Sequence, residues 1–183
     1  QQPERSITMD EVEFDVRDEV IVGDLTAVRQ EIMPVAQNVK VRIVKATVQT
    51  SEDKALKSLK MELKIVDGIS VTNHDTGEVE IKYQNKSLFP GFMDVCIWAD
   101  SSVKNSNWYK NKQHLLGFKQ FCQAIGVELK DVKVNDTFLA ELFGKELLVS
   151  IRHEEESILN LETNKREKTG SLRERIGSFR KSE

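Results

Sequence analysis

Between residues 38 and 68 the chain reads NVKVRIVKATVQTSEDKALKSLKMELKIVDG, two runs of alternating apolar and charged residues joined by a charged loop. Val39, Val41 and Ile43 fall on one side with Lys40 and Arg42 on the other, and then Val44, Ala46 and Val48 take over the apolar positions. One extra residue in a strand exchanges its two faces, so this change of phase predicts a bulge or sharp bend in a long first strand over 39–50. The second run alternates more cleanly. Leu59, Met61, Leu63 and Ile65 point one way, Lys60, Glu62 and Lys64 the other, and Asp67 with Gly68 makes a turn. Together the two runs predict a hairpin.

Further strand segments are expected in EVEIKYQN and FMDVCIWA, separated by Pro90 and Gly91. In the latter, Val95 and Ile97 would share one face and Asp94, Cys96 and Trp98 the other, which puts Trp98 on the side away from the main core. Over residues 110–126 the period changes: Leu115, Phe118, Phe121, Cys122 and Ile125 recur at helical spacing, and Gly126 suits a C-terminal cap. A second short helix is predicted over DTFLAELFG, with Asp136 as N-cap and Gly144 closing it. Strand pattern returns in ELLVSIRHE and SILNLET, with Glu154 to Glu156 as the hairpin tip. Phe89, Phe92, Phe118, Phe121, Phe138 and Phe143 read as core. Before the sheet, Asp24 can cap a short helix that Pro34 stops, and Val12, Phe14 and Val16 alternate as an added strand would.

The expected fold is mainly β with α: a five-stranded OB-fold-like barrel, with a helix between strands three and four and N- and C-terminal extensions. An open α+β sandwich with the same elements stands as the alternative. The expected division is an acidic N-terminal arm with a short helix (1–34), an OB-fold-like domain (35–162) and a basic flexible C-terminal tail (163–183).

Composition narrows the function classes. The 183 residues are 39% hydrophobic and 31% charged, which excludes a disordered chain. No apolar run approaches the roughly 20 residues of a membrane span, and the first 20 residues are too acidic for a signal peptide, so a cytoplasmic protein with no membrane association is expected. Cys96 and Cys122 lack ligand spacing and are expected as buried reduced thiols. The three histidines are scattered, and no motif for metal, nucleotide or nucleophilic chemistry occurs. The expectation is therefore no enzyme, no metal and no cofactor.

The net charge of −3 conceals an asymmetry. Residues 1–31 carry nine acids against three arginines, whereas residues 163–183 carry seven cations against three glutamates. Such ends suggest polyelectrolyte partners or contact between the tails themselves.

The first hairpin, followed by LLGFKQFCQAIGV and LFGKELLVSIRHEEE, resembles phage-encoded OB-fold single-stranded DNA-binding proteins. The matching stretches are Val44 to Ala46, Leu63 to Gly68, Ala124 to Gly126, and Gly144 with Lys145, across residues 35–162. The resemblance implies single-stranded DNA binding in replication or recombination, in a host cytoplasm, with replication or recombination proteins as further partners and a homo-oligomer left open. Many such proteins end in an acidic tail, whereas this chain carries its acidic segment at the opposite end. Strand binding needs cations along the phosphates and flat side chains under the bases. Lys40, Arg42, Lys45, Lys60 and Lys64 on the first hairpin are the candidate cations. Trp98, Trp108, Tyr109, Lys110 and Lys112, in WADSSVKNSNWYKNK, interleave aromatics and bases. The competing function is an OB-like protein-interaction or virion-structural module without nucleic-acid binding.

Overall fold

The computed structural model describes residues 32–183. The acidic arm, the helix expected after Asp24 and the alternating Val12, Phe14 and Val16 lie outside the described residues. Eight strands follow in chain order: β1 (Ala36–Thr50), β2 (Leu56–Ile65), β3 (Ile69–Thr72), β4 (Val79–Lys82), β5 (Ser87–Leu88), β6 (Cys96–Ala99), β7 (Glu146–Asn160) and β8 (Lys165–Lys181). Between β6 and β7 lie three helices, α1 (Asn107–Lys110), α2 (Leu116–Ala124) and α3 (Asp136–Leu142). The protein is mainly β.

The main sheet runs β5, β2, β1, β7, β8, with β6 also pairing with β2. It is open. Nothing among the described residues pairs β8 back to β5 or β6, so the expected five-stranded OB-fold-like barrel is corrected to an open sheet. EVEIKYQN does hold the expected strand, β4, but among the described residues it pairs with β3 in a separate small hairpin rather than in the main sheet. Gly68 makes the turn into that hairpin at φ +75°, and a Cβ there would lie 2.6 Å from the Ile81 side chain, so glycine is required on both counts. In FMDVCIWA, residues 92–95 form a 3-10 turn, and both Val95 and Cys96 are fully buried, so the strict alternation expected there fails.

The expected bulge is present. Ile43 pairs with Leu63 and Lys45 with Glu62, leaving Val44 as the extra residue of β1. Val41, Ile43, Leu63, Ile65, Leu147 and Ile151 are completely buried and form the centre of the core. Phe121 of α2 closes that core from one side, edge-on to Phe179 of β8 at 5.6 Å. Ile125 caps the C-terminus of α2, followed by Gly126 at φ +75°. The cap of α3 lies one residue earlier than expected, since the Asn135 carboxamide oxygen accepts from Phe138 N–H at 2.9 Å. Of the six phenylalanines read as core, Phe121 is buried, Phe92, Phe118 and Phe138 are half-buried, and Phe89 and Phe143 are exposed.

The largest correction concerns the C-terminus. Residues 165–181 are no flexible tail but a 17-residue strand paired with β7 from Leu147/Lys181 to Asn160/Lys165. β7 continues through Glu154–Glu156, with a break in its pairing register between Glu155 and Ser157, and the hairpin tip falls at residues 161–164. Near the root, Val149, Ile151, Ile176 and Phe179 are buried; farther out the two strands run as a ribbon with both faces in solvent. Two devices fix the start of this ribbon. The Arg175 guanidinium lies 3.3 Å from Asp94 and 3.1 Å from Glu154, and Met33 hydrogen-bonds to both Glu174 and His153.

Candidate nucleic-acid interface

The strand registers decide which candidate cations meet. Before the bulge Lys40 and Arg42 point away from the buried Val41 and Ile43; after it Lys45 pairs with Glu62 and Thr47 with Lys60. Were Val44 paired regularly instead of bulged, Lys45 would turn inward. With the bulge, Lys40, Arg42, Lys45, Lys60 and Lys64 all lie on the outer face of the β1/β2 pair. The same row extends across the sheet, because Leu148 of β7 pairs with Lys40 on one side and Arg180 of β8 on the other. Arg180 was not among the residues expected from the sequence. Its signal is the buried Phe179 beside it, which sets the next residue outward, but Gly177 bulges between Ile176 and Ser178 and hides the alternation.

The cations on this face are not equivalent. Glu146 receives Arg42 at 2.7 Å and Lys40 at 3.8 Å. Its carboxyl is held below the usual value of 4.5, first by the Arg42 hydrogen bond and then by the surrounding positive charge, against some burial. Lys45, Lys60 and Lys64 have no carboxylate within 4 Å among the described residues and project their charge into solvent. Lys104, by contrast, is tied to Asp53 at 3.0 Å in the β1/β2 loop, where Ser51 also donates to Asp53. Those bonds keep the Asp53 carboxyl far below the ordinary range.

The aromatics divide into separate groups. Trp98 is 42% exposed and sits opposite Lys57, whose ammonium lies 5.3 Å from the ring centroid. Regular alternation along β2 puts Lys57 out of phase with Lys60, so Trp98 does not share the face of Lys60 and Lys64. Trp108 and Tyr109, on α1, stack edge-on at 4.7 Å, and Tyr109 lies 5.4 Å from the His114 ring. Trp108 remains 45% exposed, whereas His114 is buried with no partner for Nδ1 among the described residues. Burial pushes the His114 pKa down, and the charge of Lys112 pushes the same way. Lys110 and Lys112 flank this cluster, both exposed, and Lys112 takes the left-handed conformation at φ 58°.

One aromatic does reach the basic face, and it was expected in the core. Phe89 directly follows β5, which pairs Leu88 with Leu63 and Ser87 with Lys64; its ring is 64% exposed. Together with Lys45, Thr47, Lys60, Met61 and Glu62 it lines a cleft of about 210 Å³. The only sequence signal for its exposure is Pro90 next to it, which ends strand pairing at that point.

No described helix is long and apolar enough to cross a membrane. Comparison with known proteins finds no family model that matches the chain and no curated protein that matches it.

Proposed function

We propose that this chain binds single-stranded DNA with little regard to sequence, as do the phage-encoded OB-fold proteins it resembles, and serves DNA replication or recombination. The observation that carries the reading is the bulge at Val44, which turns Lys45 onto the sheet face already held by Lys40, Arg42, Lys60 and Lys64, with Glu62 and Glu146 the acids among them in the described residues. A solvated face needs no such phasing, whereas a phosphate backbone crossing β1 and β2 does. The connectivity supports the same reading. A first strand shared between a hairpin partner and a strand that follows the helices, with a last strand beside the latter, is the OB arrangement without its final closing pair. Exposed Trp108 and Trp98, with Lys110 and Lys112, supply stacking surfaces outside the sheet face.

The test is fluorescence anisotropy of a labelled oligonucleotide at several salt concentrations. Engagement of the five face cations gives a slope of log K against log salt of about −3.5, from about −0.7 for each neutralised phosphate. Absence of binding at low salt would overturn the proposal. The interaction-module reading draws on a different feature, the β7/β8 ribbon, which leaves Ile158, Leu159 and Leu161 exposed. It moves ahead if the oligonucleotide is not bound.

A further inference from the structure

The cleft beside Phe89 combines groups that a plain phosphate track does not require. A flat ring stands open to solvent; two lysines without carboxylate partners among the described residues, Lys45 and Lys60, stand on its walls; and one wall is the carboxylate of Glu62. A carboxylate is a poor neighbour for phosphate, and its presence in the middle of a basic face calls for another partner. Ser87 fixes it in place by donating to Oε1 at 2.7 Å, and Oε2 has no hydrogen-bond partner among the described residues. An ionised carboxylate only accepts hydrogen bonds, so the group facing Oε2 must be a donor.

Resting on the single-strand reading above, we propose that this cleft is a nucleobase subsite. One base stacks on Phe89, the phosphates on either side of it engage Lys45 and Lys60, and Glu62 Oε2 accepts from an exocyclic amino group of that base. The volume of about 210 Å³ suits one ring system rather than a run of bases. The chemistry then ranks the bases. Cytosine, adenine and guanine each carry an amino donor, while thymine offers a single imino N–H between two carbonyl oxygens that the carboxylate repels. A chain otherwise tolerant of sequence would therefore carry a preference against thymine at this one position.

Oligodeoxycytidine and oligodeoxythymidine twelve residues long separate the possibilities, since both are unpaired pyrimidine strands of equal charge. The parent should bind oligodeoxycytidine more tightly by about fivefold or more, in line with one hydrogen bond to a charged group. Glu62→Gln, whose amide both donates and accepts, should abolish that preference. Phe89→Leu, apolar but not flat, should weaken both complexes by about fivefold or more, and Phe89→Trp should restore binding. Because Phe89 is exposed, these variants leave the core intact, which the unfolding midpoint checks. If the parent binds both strands equally and Phe89→Leu binds as tightly as the parent, the subsite is refuted while single-strand binding stands. If the parent binds neither strand, both readings fall.

Discussion

The outer face of β1/β2 and the projecting half of β7/β8 are both antiparallel pairs rich in cations, yet their electrostatics differ. On β1/β2 the cations gather on one face and three of them lack carboxylate partners among the described residues. Between residues 152 and 175 the hairpin holds six cations and six glutamates, and strand pairing sets Glu154 directly opposite Arg173. Arg173 lies 3.2 Å from Glu154, Lys168 lies 3.1 Å from Glu155, and Arg175 reaches both Glu154 and Asp94. Of the seven cations in the last 21 residues, which in the sequence resemble a phosphate-binding tail, Lys168, Arg173 and Arg175 are thus answered by acids. Charge counted along a chain becomes a field only after the strands have chosen their neighbours.

The two regions also differ in what supports them. Each β1/β2 cation is carried by a strand whose other face is in the core, whereas the ribbon has no buried face beyond Ile176. This contrast sets the largest effect. Leu63, fully buried between Glu62 and Lys64, should cost about 2–5 kcal/mol when cut to alanine. Ile158, 62% exposed on β7, should change stability by no more than about 0.5 kcal/mol on the same substitution. Urea unfolding of the two variants decides the matter. A large loss for Ile158→Ala would mean that the ribbon packs against something, and the contrast would break.

The same difference in support explains what could be read from the sequence. Alternation is visible where one face meets a core, so the first hairpin, and even the extra residue at Val44, could be seen in the run of valines and lysines. The ribbon could not, because its pairing depends on backbone hydrogen bonds between two solvated strands, and no hydrophobic period marks such strands. Its glutamates at 154–156 therefore read as a hairpin tip, and its basic residues 163–183 as a flexible tail. Phe89 was misplaced for a related reason: strong hydrophobicity favours burial on average, but at the end of the two-residue β5 the register with β2 turns the ring outward. Asn135 and Asp136 are adjacent and both able to cap, so only the geometry of the first turn of α3 chooses between them.

The electrostatic half of the comparison predicts an intermediate effect, read from the salt dependence of DNA binding. Lys60→Ala should make the slope shallower by about 0.7, the share of one released counterion on a single strand. Lys168→Ala, which removes a cation already engaged by Glu155, should leave the slope nearly unchanged. Equal changes in the two variants would show that the ribbon also lies on the strand, and the distinction between face and ribbon would then be one of stability alone.

The smallest effect sharpens the comparison within the basic face, where Glu146 makes Arg42 and Lys40 resemble the cations of the ribbon. Each must partly leave a carboxylate before it can serve a phosphate, so the carboxylate opposes binding without blocking it. Glu146→Gln keeps the side-chain shape and removes the charge. Binding to single-stranded DNA should tighten a few-fold at low salt, and the slope should become steeper as both cations release counterions in full. Acid should mimic the substitution in the parent. The folded-state pKa of Glu146 lies below its ordinary 4.5, so its ion pairs contribute stability above that pH and lose it as the pH falls through the lower folded value. Over that same acid range the parent should gain affinity for DNA relative to Glu146→Gln, until the two converge. A variant that binds as the parent does at every salt concentration and pH would show that Arg42 and Lys40 stand outside the path of the strand, leaving Lys45, Lys60 and Lys64 as its track.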